Sequence, residues 1–189
     1  MSQNFLWNAN FHSLLKAIDE ELADKARGLG CPECGHKLHQ ANYPRSPMGV
    51  PARFRGYYEE RLSFCCEICR KRWTPPSVRF FGRRWYPGPL FMLISAFMGR
   101  INDRLFIKVK EWFGISVGLS TWKRWRQWWY EVFPFTLFWK QAQGIVPVLE
   151  TKRSFPRALL GLFQGKLEEK ICSLLKFLSP LSYGFLQAF

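Results

Sequence analysis

Four cysteines in two C-x-x-C pairs, Cys31/Cys34 and Cys66/Cys69, are the residues whose types and spacing point most directly to chemistry. A C-x-x-C pair fits a tight turn whose backbone amides point at the sulfurs. Two such turns supply the four soft anionic ligands that tetrahedral zinc prefers. Cys31, Cys34 and Cys69 are the firm members of the set. Spacing gives the fourth place to Cys66, with Cys65 as a competitor, and His36 and His39 can in principle replace one of the second pair. Four thiolates around one zinc ion leave no open coordination position. The expected role is therefore structural, with metal binding coupled to the folding of a small segment and no activated water. Cys172 stands apart in an apolar helical stretch and reads as a buried core thiol.

Cations crowd the same region. Arg45, Arg53, Arg55, Arg61, Arg70, Lys71, Arg72, Arg79, Arg83 and Arg84 lie between and just after the cysteine pairs, interleaved with Tyr57, Tyr58, Phe64, Trp73, Phe80 and Phe81. The mixture suits phosphate contacts with aromatic packing or stacking, although Phe64 and Trp73 read rather as core. Arg70, Lys71, Arg72, Arg83 and Arg84 are the candidate DNA contacts of this segment. Over the whole chain 28 Lys and Arg face 14 Asp and Glu, a formal charge of +14 in 189 residues. Such an excess favours a polyanionic partner: DNA, RNA or an anionic membrane surface.

A second cluster of polar side chains lies downstream. Trp122, Trp125, Trp129 and Val132 recur at i, i+3, i+7 and i+10, so one helical face is apolar. Lys123, Arg126, Gln127 and Tyr130 fall broadly opposite, and Arg124 adds a further cation. Arginine can read guanine bidentately and glutamine can read adenine, so Lys123, Arg124, Arg126 and Gln127 are candidate DNA contacts. A preceding helix over 104–112, a turn at Gly114 and a cap from Ser120 or Thr121 would complete a helix-turn-helix. The stretch from Gly114 to Trp122 is about two residues longer than the tightest such turns.

These groups need elements to hold them. Leu14, Leu15, Ile18 and Leu22 recur at helical spacing within residues 5–27, with Asp19, Glu20, Glu21 and Asp24 marking the other side; Gly28 and Gly30 end that helix. The proline-rich stretch 43–51 reads as irregular loop, 57–64 as a strand into the second pair, and Arg70–Thr74 as the returning strand, stopped by Pro75-Pro76. Residues 140–156 read as a connector and 157–179 as helical. The expected organisation is an N-terminal amphipathic helix (1–28), a small β-rich zinc ribbon (29–86), a helix-turn-helix region (87–135) and a connector with a C-terminal helical segment (136–189). The fold class is α+β.

The residues after Met1 carry no basic run, and the apolar ones are broken by Asn8, Asn10 and His12. With four cysteines at metal-ligand spacing, the expectation is a reducing, cytoplasmic compartment. No stretch reaches the ~18 uncharged apolar residues of a membrane span. There is no Ser-His-Asp set, no glycine-rich phosphate loop and no cluster of carboxylates. His12, His36 and His39 lack evident catalytic partners, so the chain reads as non-enzymatic.

The Cys-Pro-x-Cys-Gly pair, the second cysteine pair running into basic residues, and the Trp112-Phe113-Gly114-Ile115-Ser116 and Thr121-Trp122-Lys123-Arg124-Trp125 segments together resemble the DNA-binding front end of bacterial insertion-sequence transposases, over roughly residues 29–133. The resemblance implies binding to an element's terminal repeats. In such enzymes an RNase-H-like domain with three metal-binding carboxylates follows. Here roughly 55 residues follow Pro134, with only Glu150, Glu168 and Glu169 as acids. The resemblance therefore implies a stand-alone, non-catalytic binder of double-stranded DNA in transposition or its regulation. Two other readings stay open: an adaptor docking onto a separately encoded transposase or recombinase, and a transcription regulator unrelated to mobile elements. The apolar C-terminal stretch allows a core helix, a homodimer interface or a docking surface.

Overall fold

The computed structural model describes residues 7–81, 87–89, 91–92, 107, 118–144, 146, 155 and 157–182. The chain is α+β, with short antiparallel strands and several helices. It divides into two compact units, Met1–Gly88 with Leu175–Phe189, and Pro89–Leu174.

In the first unit, α1 (Ala9–Leu29) opens at Asn8, whose side-chain oxygen accepts from the N–H of Asn10 at 3.0 Å. Its buried side is Phe11, His12, Leu15, Ile18, Asp19 and Ala23. The stripe is rotated from the one expected. Leu14 is exposed, and Asp19, expected on the polar side, is completely buried. The reason lies in its partners. The Asp19 carboxylate accepts from Ser77 Oγ at 2.6 Å, the Val78 N–H at 2.7 Å and Arg79 Nε at 2.8 Å. A buried charge is tolerated when it is paired and fully hydrogen-bonded.

The strands are short. β1 (Leu38–Gln40), β4 (Phe64–Cys66) and β5 (Arg72–Trp73) form one antiparallel sheet in the order β1-β4-β5. Leu38 faces Cys66 across one ladder and Phe64 faces Trp73 across the other. β2 (Tyr43–Pro44) pairs with β3 (Glu60–Arg61) as a separate two-stranded ribbon. The strand expected over 57–64 is thus two short strands preceded by a 3₁₀ turn, Ala52–Tyr57, and the proline-rich loop begins with a strand. Pro44 fits there because it sits at an end of a two-stranded ribbon, where a missing N–H costs least.

One apolar cluster joins Ala23, Leu38 and Phe64 to Cys31 and Cys66, with Ala26, Leu62 and Trp73 against it. A second joins Val50, Phe54, Tyr58 and Phe80. The C-terminal residues belong to this unit as well: Leu175, Leu178 and Leu181 are buried, and the Ser77 N–H donates to Ser182 Oγ at 2.7 Å.

In the second unit, α2 (Leu119–Gln127) runs into a π-helical turn, Trp128–Val132, and a 3₁₀ turn, Phe133–Phe135. Its N-cap is Gly118, so Ser120 and Thr121 lie inside the first turn and do not cap it. The wider i→i+5 turn rotates less per residue. Adjacent Trp128 and Trp129 are both buried, their rings 4.7 Å apart. Phe91 stacks on Trp129 at 5.9 Å and meets Trp125 edge-on at 5.1 Å, while Phe133, Trp139 and Phe155 extend the aromatic core. Thr136 Oγ1 accepts from the Trp139 N–H and caps α3 (Leu137–Ala142). After α4 (Arg157–Gly161), the Glu169 carboxylate reaches back to the Lys166 N–H at 2.8 Å and starts α5 (Leu167–Leu178), whose residues from Leu175 on belong to the first unit.

Removing the Asp19 carboxylate leaves Arg79 buried without its counter-charge. Asp19→Ala is expected to lower stability by about 3–5 kcal/mol, measured by urea unfolding of the metal-loaded protein. A loss under ~1 kcal/mol, the range of an exposed ion pair, would show that the network contributes little.

Candidate functional site

Each cysteine pair sits in a turn built by the backbone. The first follows α1 directly. Gly30, at φ 77°, ends that helix, and a Cβ there would lie 2.7 Å from the Gly35 carbonyl oxygen, so only glycine lets the two backbones meet. The Gly35 N–H donates to the Cys31 carbonyl at 2.7 Å and the Cys31 N–H to the His36 carbonyl at 2.8 Å. In the second turn, the Cys66 N–H donates to the Lys71 carbonyl at 3.0 Å. The two turns match residue for residue. Gly35 follows Cys34 at φ 72°, and Arg70 follows Cys69 at φ 58°, the one non-glycine positive φ among the described residues.

The Sγ atoms of Cys31, Cys34, Cys66 and Cys69 all lie within 4.8 Å of one another. Cys31 and Cys69 are 3.6 Å apart, and Cys34 and Cys66 are 3.4 Å apart. These separations are far above the ~2.05 Å of a disulfide. They approach the edge of about 3.8 Å that a tetrahedron with ~2.3 Å metal–sulfur bonds requires. The four sulfurs can hold one metal ion. Strand alternation decides between the neighbours: Cys66 points into the core, while Cys65 donates to the Arg70 carbonyl at 3.4 Å and stays outside the cluster. The histidines stay outside too. His36 Nδ1 pairs with the Cys34 carbonyl oxygen and His39 Nε2 with the Glu67 carboxylate.

The electrostatics favour a cation. Burial pushes the Cys66 thiol up, but the N–H groups of Cys69 and Ile68 and the thiols of Cys34 and Cys69 outweigh it and bring it down to about 6. A second thiolate meets resistance. The Lys71 N–H favours the Cys69 thiolate, yet burial and the sulfurs of Cys66, Cys31 and Cys34 push that thiol up to about 12. Four adjacent thiolates repel one another, and a divalent ion at their centre removes that repulsion.

The basic candidates divide sharply. Arg61 and Arg79, read from sequence as phosphate contacts, are interior at 2% and 3% exposure. Arg61 donates to the Pro75 carbonyl, and Arg79 to Asp19 and to the Tyr57 carbonyl. Lys71 bridges the two turns through Glu33 at 2.9 Å, a contact that raises its pKa. Arg72 holds the Ala41 carbonyl and lies over the Tyr43 ring. Arg70 is exposed at the tip of its turn. Arg83 and Arg84 lie outside the described residues.

On α2 the burial pattern follows the helical spacing. Trp122, Trp125, Trp128 and Trp129 are buried, whereas Lys123, Arg124, Arg126 and Gln127 are exposed. Arg124 donates to Thr121 Oγ1, Gln127 donates to Glu131 at 2.7 Å, and Arg126 lies over the Tyr130 ring. The helix expected over 104–112 and the turn at Gly114 lie outside the described residues, apart from Ile107, which is helical and exposed. No helix among the described residues is long and apolar enough to cross a membrane.

Two outcomes test the centre. Cys66→Ser is expected to abolish stoichiometric metal, read by elemental analysis of the purified protein, while Cys65→Ser keeps it; equal metal contents in the two variants would contradict the assignment. An L side chain at positive φ costs roughly 1–2 kcal/mol, partly offset by the greater freedom of glycine in the unfolded chain. Arg70→Gly should therefore raise stability by about 0.5–1 kcal/mol in the same unfolding assay, with metal content unchanged.

No family model, no curated protein and no solved structure matches this chain.

Proposed function

We propose that this chain is a zinc-dependent, non-catalytic protein that binds double-stranded DNA with sequence selectivity, in transposition or its regulation. The observation that carries the proposal is the split on α2: tryptophans buried on one side, Lys123, Arg124, Arg126 and Gln127 exposed on the other. A helix anchored by large aromatics and presenting cations with an amide has what a major-groove recognition helix needs. The chain's charge of +14 supports a polyanionic partner.

Four thiolates in a closed tetrahedral set suit zinc, a set that iron can also fill. Magnesium and calcium prefer oxygen donors. Zinc held by Cys31, Cys34, Cys66 and Cys69 would supply folding energy to a ribbon module and no Lewis-acid chemistry, since no coordination position is left open. The link to transposition rests on the resemblance to insertion-sequence transposases. The adaptor reading draws on a different observation: Phe135 and Leu137, at 64% and 62% exposure, offer apolar contact on the second unit.

Selection of bound duplexes from a random pool at ~150 mM salt suppresses counterion-driven binding. A defined motif is expected to emerge. Arg126→Ala should then cost about 1–3 kcal/mol and relax preference at one position. Binding without an enriched motif, lost as salt rises, would favour the adaptor reading.

A further inference from the structure

The four sulfurs that can hold a metal ion also stand against one another. Cys34 Sγ lies 3.4 Å from Cys66 Sγ, and Cys31 Sγ lies 3.6 Å from Cys69 Sγ. Both contacts run from one C-x-x-C turn to the other, between residues 32 and 38 positions apart in the chain. Each joins a buried residue to a half-buried one: Cys66 and Cys31 are buried, Cys34 and Cys69 half-buried. A thiolate that solvent can reach, with a second thiolate against it, is the arrangement that a hydroperoxide oxidises to a disulfide.

Product stability separates the ways of pairing. A disulfide inside one C-x-x-C turn would leave the two turns with no tie between them. A disulfide across the turns closes a far longer loop, and the constraint on the unfolded chain grows with loop length. It also keeps Ala23, Leu38 and Phe64 packed around Cys31 and Cys66. The backbone of each turn is already held, by the Gly35 N–H on the Cys31 carbonyl and the Cys66 N–H on the Lys71 carbonyl. The sulfurs of each pair need approach by only about 1.5 Å to reach a ~2.05 Å bond. Cys65 does not share this position. It sits on the other side of β4, where its thiol donates to the Arg70 carbonyl at 3.4 Å.

We propose that a hydroperoxide oxidises this centre to two disulfides, Cys34–Cys66 and Cys31–Cys69, with release of the metal ion. The proposal rests on the zinc reading for what is released. In each pair the half-buried thiolate, Cys34 or Cys69, attacks one peroxide oxygen. The O–O bond breaks, the sulfur becomes a sulfenic acid, and the departing hydroxide takes a proton to become water. The buried thiolate beside it, Cys66 or Cys31, then attacks the sulfenic sulfur. The S–O bond breaks, and a second hydroxide leaves and is protonated to water. Each disulfide thus takes two electrons from its sulfurs and reduces one peroxide to two waters. With both pairs closed, no thiolate of the set is left to hold the ion, and covalent bonds join the turns instead. A dithiol reductant reverses the change by thiol–disulfide exchange.

The test treats the full zinc-loaded chain with hydrogen peroxide, then blocks the remaining thiols with a maleimide at mildly acidic pH, where exchange is slow. Peptide mapping by mass spectrometry is expected to find Cys34–Cys66 and Cys31–Cys69. Elemental analysis of the filtrate should find about one zinc ion released per chain. Dithiothreitol with added zinc should restore both thiols and metal. Disulfides within the turns, a disulfide containing Cys65, or sulfinic acids in place of disulfides would overturn the proposal, as would thiols and zinc left unchanged. The same two disulfides are expected in Cys65→Ser; their loss there would make Cys65 a participant and overturn the assignment of roles. Should the purified chain take up no zinc, the zinc reading fails by itself, and the same mapping on the metal-free chain still decides the sulfur pairs.

Discussion

Four sulfurs within 4.8 Å of one another impose the constraint on which the first unit depends. Its strands run for only two or three residues. Ladders that short are not stable by themselves. Their side chains compensate little: Leu38, Phe64 and Ala23 form a cluster whose other buried members are Cys31 and Cys66. A core built partly of thiolates is self-repelling without a cation and cohesive with one. An ion held by the four sulfurs would substitute for apolar mass that the module lacks. The close approach of Gly30 to Gly35 ties the end of α1 to the first turn, so helix position and ligand position are set together.

Away from the sulfurs, the same unit is held by a buried charge. Asp19 collects Ser77, Val78 and Arg79, and the Ser77 N–H in turn donates to Ser182 Oγ. One carboxylate therefore gathers the helix, the segment after the sheet and the C-terminal residues. Arg79 carries the connection on to the Tyr57 carbonyl at the end of the 3₁₀ turn. Apolar packing alone tolerates sliding; a carboxylate with three directional donors does not. This lock also sets the Phe80 ring, over which the Arg45 and Arg79 guanidinium groups lie.

The sequence made the ligand turns readable because a C-x-x-C turn is a local device: its hydrogen bonds close within six residues of Cys31. The choice between Cys65 and Cys66 was half legible. Spacing favoured Cys66, but strand alternation, a consequence of β4 pairing with β1, is what turns Cys65 away. The tryptophan face was legible for the same local reason, helical period: Trp125, Trp128 and Trp129 follow Trp122 at i+3, i+6 and i+7. Asp19 was misread because its partners lie 58 to 60 residues away. A helical wheel sees only neighbours, and an isolated carboxylate on it defaults to solvent. Arg61 and Arg79 were misread in the same way: composition counts cations, and only tertiary structure says which are spent inside.

That distinction changes what the charge of +14 means for a polyanion. Arg61 and Arg79 are interior, Lys71 is paired to Glu33, and Arg72 holds a backbone carbonyl. Binding strength set by counterion release depends on cations that can reach phosphates, not on the formal total. Under the proposed function, the exposed cations of α2 are the ones placed to read sequence. Lys123 and Arg126 stand on a helix whose other face is fixed by tryptophans, the arrangement in which a side chain can be held against a base edge.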